Sequence, residues 1–121
     1  MKLVVQDGSS LSRSQLQTVV ASLPERLSKH VGTVLVCASW EPSLRLAYSQ
    51  KERTLTLFVP AHEPAPPPAI TVVREFLVAL AVVAERGELP ARLSKSVRAQ
   101  AIQATSDVLA SFTASIGACD A

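Results

Sequence analysis

The sequence contains few of the residues from which catalytic and metal sites are usually built. Its 121 residues include only two histidines, two cysteines and four glycines. Neither the histidines nor the cysteines have the close spacing of metal ligands, and four scattered glycines do not form a phosphate-binding loop. No pair of acidic residues stands out for acid–base chemistry. We therefore expect no metal, no cofactor and no recognisable catalytic set in this chain.

The cysteines and the N-terminal residues indicate the compartment. Cys37 lies in a predicted buried strand and Cys119 in the C-terminal tail, so we expect two free thiols rather than a disulfide framework. The first apolar run, MKLVV, is cut off by Asp7 and is too short for the core of a signal peptide. These features predict a reducing, cytoplasmic setting.

Neither sign of charge dominates the sequence. Twelve basic residues against ten acidic residues give a net charge of +2, which provides no general attraction to nucleic acid or to a membrane. Aromatic residues make up 4% of the chain, and none is interleaved with the basic residues to stack on bases. A hydrophobic content of 48% suits one globular domain that spans residues 1–121.

The most apolar stretch covers residues 70–84, and its only charges are Arg74 and Glu75. It lacks the period-two alternation of a half-buried strand and is about twice as long as a typical strand. Two adjacent rows of apolar residues recur at helical spacing, which predicts a helix that is buried on most of its circumference. The stretch is shorter than the ~20 residues of a membrane span, so we expect no membrane insertion.

The other segments predict the partners of this central helix. An S-x-x-Q capping box begins a helix at Ser12, a β-branched run predicts a buried strand over residues 33–39, and two alternating runs around residues 49–53 predict a β-hairpin. Residues 90–116 predict a long C-terminal helix. The expected fold is α+β: a sheet of three or four mainly antiparallel strands, with the buried central helix and the long C-terminal helix packed on one face.

Two segments are expected to lack regular structure. Residues 61–69 are rich in proline and predict an extended connector into the central helix, although the same composition suits a ligand for a proline-binding groove. Residues 117–121 predict a flexible tail.

Phe58 and three basic residues are candidates for contacts with a partner. In the predicted hairpin Phe58 points away from the core, as an interaction residue would and as many isolated surface aromatics also do. Arg92, Lys95 and Arg98 recur at intervals of three near the start of the last helix, where they oppose the helix dipole. They either bind an anion or an acidic partner, or form a solvated face in which Glu88 pairs with Arg92.

Arg74 and Glu75 lie at the edge of the predicted buried helix, where a charged group requires a partner or water. One interpretation is that they simply pair with neighbours such as Arg45 or Arg53 on the sheet. The other is that they belong to a binding site. If the first holds, we expect that replacing Glu75 by Gln changes neither the fold nor any binding.

The order of these segments resembles the layout of the zincin metalloproteases. A tyrosine-containing hairpin, YSQKERTLTLFVP, precedes an apolar helix that carries REFLV near its start. In zincins the corresponding helix bears H-E-x-x-H, whose histidines bind zinc and whose glutamate is the general base. Glu75 matches that glutamate, whereas Arg74 and Val78 replace the two histidines. The resemblance, which covers residues 12–84, therefore implies an inactive relative whose cleft binds a peptide without zinc.

Three functions are open on the sequence alone. The first, favoured because no catalytic set is visible, is a non-enzymatic interaction or regulatory module whose partner is another protein or a peptide. The second is an inactive zincin-like domain that binds a peptide through the hairpin edge and Glu75. The third is an enzyme whose chemistry the sequence does not reveal. The many small residues of the last helix also suit packing against a second copy, so a homodimer is among the expected assemblies.

Overall fold

The computed structural model describes residues 1–6, 13–41, 43–60 and 69–120, with side chains given except at 69 and 115–120. Within these residues the chain forms, in order, β1 (Lys2–Val5), α1 (Arg13–Ala21), α2 (Glu25–Ser28), β2 (Thr33–Ser39), β3 (Arg45–Ser49), β4 (Thr54–Pro60), α3 (Ala69–Arg86), α4 (Lys95–Ala104) and α5 (Ser106–Asp120). The prediction of a mixed α+β fold is confirmed. The predicted helix cap at Ser12 and the connector residues 61–68 lie outside the described residues.

The sheet is mixed, so the prediction of mainly antiparallel pairing was wrong. Its strand order is β1-β2-β4-β3, in which β1 pairs with β2 and β2 with β4 in parallel, while β3 and β4 are antiparallel. Two helices carry the chain from β1 to β2, which is the crossover that parallel neighbours require. The hairpin then places β3 at the outer edge and returns β4 beside β2. An alternation of apolar and polar residues determines on which face of the sheet each side chain lies. It does not determine whether the neighbouring strand is parallel or antiparallel.

The helices cover one face of the sheet. The most buried side chains on that face are between 0% and 9% exposed, and they are Leu3, Val34, Val36, Leu55, Leu57 and Val59. Their alternation with less buried neighbours follows from the period-two geometry of a strand. They form the main hydrophobic cluster together with helix residues such as Leu16 of α1, Phe76 of α3 and Phe112 of α5.

Helix α3 is buried on two sides. Phe76, Leu77 and Leu80 belong to the main cluster on the sheet, whereas Val78 and Val82 form a second cluster with Ala101 of α4. A helix that is apolar on two flanks needs two neighbours, and the sheet and α4 supply them. No helix in the described residues combines the length and the hydropathy that a membrane crossing requires.

The C-terminal region forms two helices, so the prediction of one long helix was wrong. Helix α4 ends at Ala104 and α5 begins at Ser106, with Thr105 between them. Thr105 is buried, and its hydroxyl donates to the carbonyl of Ala101 at 2.8 Å. A bond of this kind often bends a helix, and here it accompanies the interruption.

The start of the last helical region also differs from the prediction. Residues 90–94 are irregular, and α4 begins after Ser94, whose side chain accepts a hydrogen bond from the N–H of Val97. A serine in this position satisfies one of the free N–H groups at the helix start. At the other end α5 continues to Asp120, and the flexibility of residues 117–121 stays a prediction.

The hairpin tip is tied to the connection between α2 and β2. The hydroxyl of Tyr48 donates to the carbonyl of His30 at 2.7 Å, and the guanidinium of Arg53 donates to the carbonyl of Lys29 at 2.6 Å. The N–H of Gly32 donates to the carbonyl of Arg53 at 2.7 Å. Arg53 has a φ of 52°, which is uncommon for a residue with a side chain. These contacts fix the end of β3 and therefore the position of the sheet edge.

Replacing Tyr48 by Phe tests this attachment, because it removes the hydroxyl and keeps the ring. We expect the free energy of unfolding to fall by about 1 kcal/mol, since the half-buried carbonyl of His30 loses its side-chain donor. Urea unfolding measures the change. Ser28→Ala, which removes an exposed hydroxyl bond, is the control, and an equal loss in both variants would contradict the assignment.

Candidate functional site

A groove lies between strand β3 and the helices α3 and α4. Its volume is about 470 Å³, and residues from β3, β4, α3, α4 and the connection between α3 and α4 line it. The groove therefore gathers parts of the chain that are far apart in sequence. We refer to it below as the β3 groove.

One wall of the β3 groove is the free edge of β3. In the described sheet β3 pairs with β4 alone, so the other side of its backbone has no neighbouring strand. An edge strand presents a row of N–H and C=O groups that are available for pairing with another extended chain. Four consecutive residues line the groove here: Leu44, Arg45, Leu46 and Ala47.

The floor of the groove is apolar. Its side chains are two nearly fully buried residues of α3 and two half-buried residues of the α3–α4 connection: Val78, Ala79, Leu89 and Leu93. Gly87 explains why the connection lies here. Its φ of 74° is the left-handed conformation that ends a helix, and its N–H donates to the carbonyl of Val83 at 2.7 Å. The chain therefore leaves α3 at Gly87, and the connection that follows it lines the groove beside β3.

Glu75 of α3 and Arg98 of α4 form an ion pair in the groove. Nη1 of Arg98 donates to Oε2 of Glu75 at 2.9 Å, and Nη2 donates to Oε1, so the pair is bidentate. Glu75 is 20% exposed and Arg98 is 40% exposed. The hydrogen bonds that Arg98 donates to Glu75 raise the pKa of Arg98 above its ordinary value, although partial burial acts in the opposite direction. The guanidinium is therefore charged throughout the physiological pH range.

Arg45 and Phe58 also line the groove, where β3 meets β4. The guanidinium carbon of Arg45 lies 5.4 Å from the centre of the Phe58 ring, within the range of a cation–π contact. Nη1 of Arg45 is 3.3 Å from Oε2 of Glu41, but both side chains are more than half exposed. An ion pair of that exposure contributes little to stability, so Arg45 can exchange Glu41 for another acidic group.

The structure brings three of the six predicted site residues together. Phe58, Glu75 and Arg98 line the same groove, and Phe58 lies on the strand face opposite the helices, as its place in the hairpin predicts. Glu75 pairs with a neighbouring arginine, but that partner is Arg98 of α4 and not Arg45 or Arg53 on the sheet. Whether these residues bind a partner stays a prediction.

The other three predicted residues lie outside the groove lining. They are exposed: Arg74, Arg92 and Lys95. In the described part of the chain Glu88 forms no ion pair with Arg92, so the expected pairing is not present. Their positions are those of solvated surface groups, and a role in binding an anion stays a prediction.

The described residues contain no group of three or more histidine, cysteine, aspartate or glutamate side chains that could hold a metal ion. Glu75, which matches the catalytic glutamate in the zincin layout, contacts a guanidinium here. The resemblance to zincins stays a prediction.

The apolar part of the groove could not be predicted from the sequence. The residues of this apolar part are Leu44, Leu46, Val78, Ala79, Leu89 and Leu93. They have the same spacing as core residues, so no local signal in the sequence distinguishes a groove floor from the core. The charge of Glu75 within an apolar helix was the signal that pointed to this place. Its partner Arg98 lies 23 positions away, which is beyond any local pattern.

Comparisons with protein-family models, with characterised proteins and with solved structures found no match for this chain. Its function therefore has to be inferred from the geometry and the chemistry of the described residues.

A double-mutant cycle on Glu75 and Arg98 tests whether the pair fixes the groove wall. We expect Glu75→Gln and Arg98→Gln to show a coupling energy of about 0.5–1 kcal/mol in urea unfolding, because the pair is bidentate but partly exposed. Arg92→Gln, which makes the same charge change outside the groove, should show no coupling with Glu75→Gln.

The coupling should also persist at alkaline pH. A base whose pKa is raised in the folded state loses its contribution only as the pH rises through that folded-state value, which for Arg98 lies above the ordinary arginine range. We therefore expect the same coupling at about pH 7 and about pH 10. Additive single mutants at neutral pH would contradict the pairing.

Proposed function

We propose that this chain is a non-enzymatic protein-interaction module that binds an extended segment of another protein along the free edge of β3. The observation that carries the proposal is the β3 groove. It combines an unpaired strand edge, an apolar floor and an oriented guanidinium in one place. Addition of a strand to a free sheet edge is a common mode of peptide recognition.

The strand edge supplies the backbone part of the binding. A segment that lies beside β3 would exchange N–H···O=C hydrogen bonds with it and would extend the sheet by one strand. These bonds do not depend on the sequence of the segment. They give affinity, and the side chains of the groove must give specificity.

The apolar floor supplies the first part of that specificity. Side chains of an added strand alternate between the two faces of the sheet. Those on one face would lie against Val78, Leu89 and Leu93, so that alternate positions of the bound segment are apolar. Burial of each such side chain contributes about 1.5–3 kcal/mol when it is complete.

The ion pair between Glu75 and Arg98 supplies the second part of the specificity. Glu75 accepts two of the five N–H donors of the Arg98 guanidinium, and Arg98 is 40% exposed. Its other donors can reach a carbonyl or a carboxylate of the bound segment. Glu75 holds the guanidinium in position and thereby lowers the entropy lost on binding.

Of the other two hypotheses, only the enzyme leads to a different expectation. An inactive zincin-like domain would bind its peptide at the same place, since the hairpin edge and Glu75 both line the groove. An enzyme would turn over a substrate, and a point mutation would abolish that turnover. The setting that we propose for the interaction is the cytoplasm, in line with the free thiol of Cys37.

A display library of unstructured peptides about 12 residues long is the test of this function. We expect selected peptides to have apolar residues at alternate positions and to shift the NMR signals of β3 and of the α3–α4 connection. Leu93→Ala should weaken binding by about fivefold, because it removes part of the floor. Leu109→Ala, a half-buried leucine of α5, is the matched control and should bind as the wild type does.

Methylation of the peptide backbone separates strand addition from simple apolar contact. Removing the N–H at every second position should weaken binding by about tenfold, while methylation at the positions between should have little effect. A selection without binders, or binders whose NMR shifts lie away from β3, would contradict the proposed function.

A further inference from the structure

The face of the sheet opposite the helices carries apolar side chains on its two central strands. Strand pairing arranges this face in rows across the sheet, and the middle row is Val4, Leu35, Thr56 and Ala47. The row above it contains Cys37, Phe58 and Arg45, and the row below it is Lys2, Thr33, Thr54 and Ser49. We call these rows the open face. Val4 is 45% exposed, and Leu35, Cys37 and Phe58 are only half-buried.

The sequence of β2 is typical of a strand that is covered on both faces. Its run TVLVCAS does not alternate between apolar and polar residues. Parallel strands are rarely left open to water on either face, and their sequences are correspondingly apolar throughout. Yet the two hydrophobic clusters in the described residues take their strand side chains from the helix-covered face. Among the residues that the structure describes, no packed layer therefore lies above Leu35 and Cys37.

We propose that a second copy of this chain covers the open face, so that two sheets pack face to face around a twofold axis. The proposal does not rest on the function proposed for the β3 groove. The centre of the open face lies outside that groove, because neither Leu35 nor Thr56 lines it, and the two surfaces share only the edge at Arg45, Ala47 and Phe58.

The open face is complementary to itself. A twofold axis that runs along the strands between β2 and β4 places β2 over β4 of the partner subunit, and β1 over β3 of the partner subunit. Leu35 then lies over Thr56 of the partner subunit, and Val4 over Ala47 of the partner subunit. Cys37 lies over Phe58 of the partner subunit. Each apolar side chain thus meets an apolar group or a methyl-bearing threonine.

The charges of the face also fit this arrangement. Among the described residues of the three rows, the charged side chains are Lys2 and Arg45, which occupy opposite corners. With the axis described, Lys2 lies over Ser49 of the partner subunit, and Arg45 lies over Gln6 of the partner subunit. No two like charges face each other, whereas direct opposition of like charges would disfavour the association.

The area of the open face determines how tightly we expect the two copies to associate. Four strands spaced at about 4.8 Å and three rows of side chains span an area on the order of 300 Å². Stable interfaces usually bury about 800 Å² on each partner. We therefore expect a reversible dimer that forms in the micromolar range or above, rather than an obligate one.

Sedimentation equilibrium of the purified full chain, from about 5 to about 500 µM, tests the proposal. We expect a monomer–dimer equilibrium for the wild type. Thr56→Glu places a charge against Leu35 of the partner subunit and should weaken dimerisation by about tenfold or more. Gln17→Glu makes the same charge change on the exposed side of α1 and should dimerise as the wild type does.

A mixing experiment tests the direction of packing and guards against variants that simply fold poorly. Leu35→Lys should also be monomeric, but its mixture with Thr56→Glu should form a heterodimer, because the introduced lysine of one subunit then faces the introduced glutamate of the other. Circular dichroism of each variant checks folding. A wild type that stays monomeric at the highest concentration overturns the proposal, as does a dimer that Thr56→Glu leaves unchanged or a mixture that does not associate.

Discussion

The rest of the structure depends on the burial of helix α3 on two sides. Its side chains reach the sheet through Phe76 and Leu77 and reach α4 through Val78 and Val82. Each fully buried aliphatic or aromatic side chain contributes about 1.5–3 kcal/mol, which compensates for the low helix propensity of the valines. A charged side chain on a mostly buried part of such a helix needs a partner. Glu75 is only 20% exposed and pairs with Arg98, and that pair links α3 to α4 beside the groove.

Local patterns in the sequence predicted most of the elements, because each pattern acts within one segment. The run over residues 33–39 coincides with β2, and the alternation around residues 49–53 coincides with the hairpin. The direction of pairing was beyond such patterns, since it depends on where the chain crosses over. The interruption at Thr105 was also missed, because a threonine inside an alanine-rich helical pattern forms its hydroxyl bond only in the folded chain.

The candidate site was predicted only in part, for a related reason. Charge within an apolar segment identified Glu75, and alternation gave the orientation of Phe58. The groove itself arises from contacts between segments far apart in sequence, and its floor has the same composition as the core. Two surfaces follow from the mixed sheet: the free edge of β3 and the open face. Arg45 and Phe58 lie where these surfaces meet, so a peptide on the edge and a second copy on the face would be neighbours.

Amide hydrogen exchange along β3 in the free protein tests the central claim, which is that this strand edge is available. In an antiparallel pair with β4, every second N–H of β3 points to β4 and the others point outward. The account predicts that protection alternates along residues 45–49, with slow exchange at the amides that face β4 and fast exchange at those that face outward. Uniformly slow exchange would show that another part of the protein already occupies the edge. Uniformly fast exchange would show that β3 is not a stable strand. Either result would contradict the proposal that the free edge of β3 is available to pair with another extended segment.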